Sequence, residues 1–90
     1  MATVTLYPTL ESCIETVARR EYRRALGELL APQEPDPGLV EKTEMLRLFL
    51  QAADFRRLRE ESERHLGEGR SVRFVLRRKR ETVEHEMVVC

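Results

Sequence analysis

The sequence predicts an α+β fold: a small three-stranded sheet, N-terminal strand plus C-terminal β-hairpin, with two to three helices packed on one face, in the order β-α-α(-α)-β-β. Three observations predict it. From Ser71 to Cys90, apolar and polar residues alternate on both sides of a basic break, Arg77-Arg78-Lys79-Arg80. Period two on both arms is the pattern of two half-buried antiparallel strands. Between Leu10 and Leu66 the apolar residues instead recur at spacings of three and four, the period of helices. The first residues return to alternation.

The chain opens with Ala2 to Tyr7, where Val4 and Leu6 alternate with Thr3 and Thr5. This reads as a short strand, ended by Pro8, which has no N–H to give to a ladder. Thr9 is placed to cap a helix, and Ser12 with Glu15 offers a second start of capping-box type.

The first helix is expected over Leu10 to Leu30. Its stripe is Leu10, Cys13, Ile14, Val17, Ala18, Tyr22, Ala25, Leu26, Leu29 and Leu30, and Pro32 stops it. Arginines and glutamates fill the remaining positions, with Glu15–Arg19 and Arg24–Glu28 spaced for i,i+4 ion pairs. Residues 32–38, with three prolines, form a stiff connector short enough for the flanking helices to pack antiparallel. Asp36 followed by Pro37 is a helix-start signal.

Leu39 to Leu66 is helical with a broken phase. Met45 to Ala53 is apolar around most of the helix, whereas Phe55, Leu58, Ser62 and Leu66 form a fresh, narrower stripe. Asp54 between them is a competent N-cap, so a kink or a new helix is expected there. Gly67-Glu68-Gly69 supplies the left-handed stop.

In the hairpin, pairing Leu76 with Val83, Phe74 with His85 and Val72 with Met87 puts the apolar residues on one face. The other face then pairs Val75 with Glu84 and Arg73 with Glu86. In this register the basic tip is opposed only by Glu81.

A chain of 90 residues is one domain, residues 1–90, with one core. At 41% hydrophobic and 36% charged it is too apolar for disorder. The 16 basic residues balance 16 acidic ones, which argues against a general polyanion binder and leaves only a local basic patch. Cys13 and Cys90 make neither a disulfide framework nor a zinc pattern, and Cys13 reads as a small residue in the helical stripe. No segment is apolar for long enough to span a membrane and no leader opens the chain, so a cytoplasmic location with reduced thiols is expected.

Catalytic signals are absent from the residues. His65 and His85 have no ligand-spaced neighbour on their own elements, and His85 reads as a structural histidine. Glu60, Glu61 and Glu63 alternate with Arg56, Arg57, Arg59 and Arg64, the pattern of a solvated, paired face. No catalytic residue, metal site or cofactor is expected, and the chain reads as non-enzymatic.

Two surfaces remain as candidates. Met45, Leu48, Phe49 and Ala52 are a candidate interface for a second copy or another protein, because an apolar patch of that kind does not stay exposed on a monomer. Arg73, Arg77, Arg78, Lys79 and Arg80 are the candidate for the alternative, a regulator whose basic ribbon grips nucleic acid. No aromatic platform accompanies that ribbon, and no membrane partner is expected.

Overall fold

The computed structural model describes residues 3–31, 34 and 36–90. Its elements follow the expected order: β1 (Thr3–Leu6), α1 (Ile14–Leu29), α2 (Pro37–Ala52), α3 (Phe55–Gly67), β2 (Val72–Lys79) and β3 (Thr82–Val89). The expected start of β1 at Ala2, and the stop at Pro32 with part of the connector, lie outside the described residues.

The three strands form one antiparallel sheet in the order β1-β2-β3. β2 is central, and its residues alternate between buried Val72, Phe74 and Leu76 and an outer set that faces away from the helices. Val4 and Leu6 of β1 pair with Leu76 and Phe74 and are buried with them. The α+β class and the one-sided helical layer are thus as the alternation predicts.

The hairpin register differs from the expected one. Phe74 pairs with Met87, Leu76 with His85 and Val72 with Val89. The expected pairing left a six-residue loop, whereas the ladder runs on to Lys79 and Thr82 around a turn of Arg80 and Glu81. The shift is by two residues, so every side chain keeps its face. The tight turn is favoured because each added pair returns backbone hydrogen bonds, and Arg80 takes a positive φ of 59° to make it. Thr82 Oγ1 braces it by donating to the Lys79 carbonyl at 2.9 Å.

Helix starts and stops follow side-chain chemistry. Asp36 accepts from Gly38 N at 3.0 Å, with Pro37 in the first turn, and Asp54 accepts from Arg57 N at 3.3 Å. Both aspartates therefore cap helices where expected, and Asp54 separates α2 from α3. α3 ends in a Schellman arrangement: Arg70 N donates to the His65 carbonyl and Gly69 N to that of Leu66, each at 3.1 Å, with Gly69 at a φ of 82°.

α1 is shorter than expected. Thr9 accepts from Ser12 N at 2.9 Å in a turn, and the helix begins after Cys13. Leu10 is consequently outside it and 61% exposed. Arg24 pairs with Glu21 rather than Glu28, a choice that keeps the glutamate on the N-terminal side of the arginine.

The core gathers Ile14, Val17 and Ala18 of α1, Met45, Leu46 and Phe49 of α2, Leu58 of α3, and the inner residues of β1 and β2. Ser62, 1% exposed, is satisfied by donating to the Leu58 carbonyl at 2.8 Å. A Lys42–Glu21 pair at 3.4 Å ties α2 to α1.

A non-glycine residue at positive φ costs about 1–2 kcal/mol, part of which glycine returns as unfolded-state entropy. Arg80→Gly is therefore expected to raise stability by roughly 0.5–1 kcal/mol, a rise in Tm of a few degrees. Thermal denaturation reads it, and a lower Tm would show that Arg80 is not held against its preference.

Candidate functional site

The five basic hairpin residues do not form one free patch. Arg77 and Lys79 point to the outer face, and each reaches diagonally to a glutamate of β3: Arg77 Nη1 to Glu86 at 3.0 Å, Lys79 Nζ to Glu84 at 3.3 Å. Arg78 lies on the helical face, where its Nη1 meets both carboxylate oxygens of Glu41 at 3.1 and 3.2 Å. Its Nε donates to the Arg80 carbonyl at 2.9 Å. The reading that Glu81 alone opposes the tip is thus corrected: the new register and the proximity of α2 bring Glu41, Glu84 and Glu86 to it. Among the described residues, Arg73 and Arg80 make no ion pair, and they are the hairpin cations left over.

The candidate interface on α2 also divides. Met45 is 0% exposed and Phe49 2% exposed, both inside the chain's own core. They cannot meet a partner, and the expectation for those two residues is corrected. The physical reason is that α2 packs against α1 on one side and against the sheet on the other, so both apolar faces are covered internally. Leu48 is half-buried and Ala52 exposed. They share a helical stripe with Glu41, the partner of Arg78, on the side of α2 that looks toward the hairpin.

Beside that stripe runs the free edge of β3. Ser71 and Cys90 exchange both backbone hydrogen bonds, at 2.9 and 3.1 Å. By alternation, the N–H and C=O groups of Val83, His85, Met87 and Val89 then face away from β2. This edge is eight residues long, against four in β1, and carries neither proline nor bulge. Val83, Met87, Val88 and Val89 are half-buried on it, and His85 is exposed while leaning edge-on against Phe49 at 5.7 Å between ring centres.

A third feature escaped the sequence. A groove of about 570 Å³ lies between α1 and α2, lined by Arg19, Tyr22, Arg23, Arg47, Leu50 and Gln51. Tyr22 and Leu50 rest against the core and form its floor. Arg19 pairs with Glu15 at 2.9 Å. Arg47 makes a two-point contact with Glu44, including Nε to Oε2 at 3.0 Å, and holds the Glu44 carboxyl below the usual carboxylate range. Among the described residues Arg23 meets no carboxylate: its Nε donates to the Arg19 carbonyl at 3.4 Å. The signal available in the sequence was Arg19, Tyr22 and Arg23 at helical spacing, but their companions come from α2.

A smaller depression of about 460 Å³ holds Cys13 with Phe55, Arg56, Arg59 and the acidic side chains of Glu15, Glu60 and Glu63. The Cys13 Sγ lies 3.3 Å from Thr16 Oγ1 at the start of α1. That hydrogen bond, together with backbone hydrogen bonds from Thr16 and Glu15 and a smaller contribution from the Arg59 charge, outweighs burial and lowers the thiol below its ordinary value. Among the described residues no group of three or more His, Cys, Asp or Glu side chains is placed to hold a metal ion, and no helix is long and apolar enough to cross a membrane.

The lowered thiol has a direct readout. In a Cys90→Ser background, alkylation of Cys13 by iodoacetamide at neutral pH is expected to slow severalfold on Thr16→Val and to be retained on Thr16→Ser, followed by mass spectrometry. Equal rates in all three proteins would show that the Thr16 hydroxyl does not stabilise the thiolate.

Comparison with known proteins adds membership without a role. No curated protein matches the chain, and no solved structure does. One family model does match, over residues 3–89, which runs from the first residue of β1 to the last of β3. The chain belongs to that uncharacterised protein family.

Proposed function

We propose that this chain is a non-enzymatic protein-interaction module that self-associates through the edge of β3. The observation that carries the reading is the edge itself: eight regular residues with outward-facing backbone groups and half-buried apolar side chains. Natural edges are usually blunted by shortness, charged side chains, proline or bulges; β1 is blunted by shortness, whereas β3 is long and carries only the outer-face charges of Glu84 and Glu86. A second β3 is the occupant that satisfies it isologously.

In the register that overlaps the full strand, Val83 of each copy faces Val89 of the other and His85 faces Met87. Glu84 faces Val88, and the one directly facing like-charge pair, Glu86 with Glu86, is screened by Arg77 in each copy at 3.0 Å. Leu48 and Ala52 then extend the contact from the helical layer, the part left to them by the burial of Met45 and Phe49.

Light scattering coupled to size exclusion is expected to give a dimer at micromolar concentration, insensitive to salt. A monomer there overturns the reading. The His85 N–H faces the edge, so His85→Pro removes a hydrogen bond to the second copy without removing a backbone hydrogen bond within the chain, its cost inside the chain being the ring contact with Phe49. It is expected to give a folded monomer by circular dichroism; a persistent dimer would place the interface elsewhere.

Nucleic-acid binding by the hairpin draws support only from Arg73 and Arg80. Two free cations release few counterions, so duplex DNA affinity is expected to be weak, with a log–log salt slope no steeper than about −2. A slope near about −4.5 would mean that all five basic residues engage phosphates, and it would restore that reading.

A further inference from the structure

We propose that the groove between α1 and α2 is a binding site for a small organic anion, a carboxylate or phosphate monoester attached to an apolar body. This inference does not rest on self-association through β3, because the groove lies between the helices and uses none of the edge residues.

The lining divides by chemistry. Its floor is the ring of Tyr22 and the side chain of Leu50, both packed on the core, which makes the floor rigid and apolar. Its walls are Arg19, Arg23 and Arg47, with Gln51, and among the described residues no acidic side chain lines it. At about 570 Å³ the space suits a ligand of metabolite size.

The cations are not equivalent. Glu15 and Glu44, outside the lining, hold Arg19 and Arg47 in place through contacts at 2.9 and 3.0 Å. Arg23 differs, since its Nε alone is engaged, by the Arg19 carbonyl, and among the described residues no carboxylate meets its Nη atoms. That leaves one guanidinium edge anchored to backbone and the rest of its planar fork available. A fixed guanidinium fork fits the paired oxygens of a carboxylate or phosphate. Gln51 Oε1 accepts from Arg47 Nη1 at 3.4 Å, which commits its carbonyl and leaves its amide N–H groups as further donors. The site therefore offers donors around an apolar floor, a combination that an inorganic ion uses only in part. An apolar body on the anion is what engages Tyr22 and Leu50.

The test uses phenyl phosphate and inorganic phosphate as probes against the isotope-labelled full chain, followed by NMR. Phenyl phosphate is expected to shift the signals of Tyr22, Arg23, Leu50 and the Gln51 side-chain amide saturably, and to bind several times more tightly than inorganic phosphate. Arg23→Gln is expected to weaken it about tenfold, the loss of one charge-assisted contact. Arg80→Gln, on the hairpin, is expected to leave it unchanged. Equal affinity for the two probes overturns the proposal, because the floor then contributes nothing. So does an Arg23→Gln affinity equal to that of the unaltered chain, or shifts spread over the arginines of α3. The mass of the protein in solution does not bear on any of these outcomes.

Discussion

Phe49 is where the layers of the molecule meet. Its ring stands edge-on to Phe55 of α3 at 5.3 Å and to His85 of β3 at 5.7 Å, while the helix that carries it packs against β1, β2 and β3. Edge-to-face aromatic contacts add about 0.5–1.5 kcal/mol each beyond the area they bury. That matters in a chain of 90 residues, whose net stability is on the order of 5–13 kcal/mol. The demand that Phe49 and Met45 be covered on all sides fixes α2 between α1 and the sheet. It is also why α2 has little apolar surface left to offer outward.

Charge follows the same logic of local completion. The equal numbers of acidic and basic residues are resolved largely into short-range pairs. On α3 these are three successive i,i+4 pairs, Arg56–Glu60, Arg57–Glu61 and Arg59–Glu63. Exposed pairs of this type contribute only a few tenths of a kcal/mol each, and their main effect is to cancel the field around the molecule. What distinguishes one surface from another is then the small set of cations that, among the described residues, meet no carboxylate. Arg23 stands over an apolar floor and Arg80 stands in a turn, and that difference of setting separates a binding groove from a solvated tip.

The readable part of this sequence was the part governed by near neighbours. Alternation around Arg77–Arg80 places two strands, and aspartates at positions 36 and 54 place two helix starts, because each signal acts within a turn of chain. The hairpin register was off by a step of two because side-chain periodicity is blind to such a step, and turn geometry decides it. The partners of Arg78 and the burial of Met45 depend on packing between distant segments. So does the α1–α2 groove, whose lining comes half from residues 19–23 and half from residues 47–51. Spacing along one helix puts Arg19, Tyr22 and Arg23 near one another but holds no information about what faces them.

The pairing of β1 with β2 has a consequence for how the molecule comes together. Residues 3–6 bond to residues 74–77, so this short ladder closes a loop of nearly the whole chain. The entropy of that closure is spent before any of its few pairings returns energy. The hairpin, by contrast, closes through a two-residue turn. The expected order of assembly is therefore hairpin and helices first, with the N-terminal strand added last as a strap. Until it docks, the inner edge of β2 is as open as that of β3. During synthesis, the first strand made waits for the second-last.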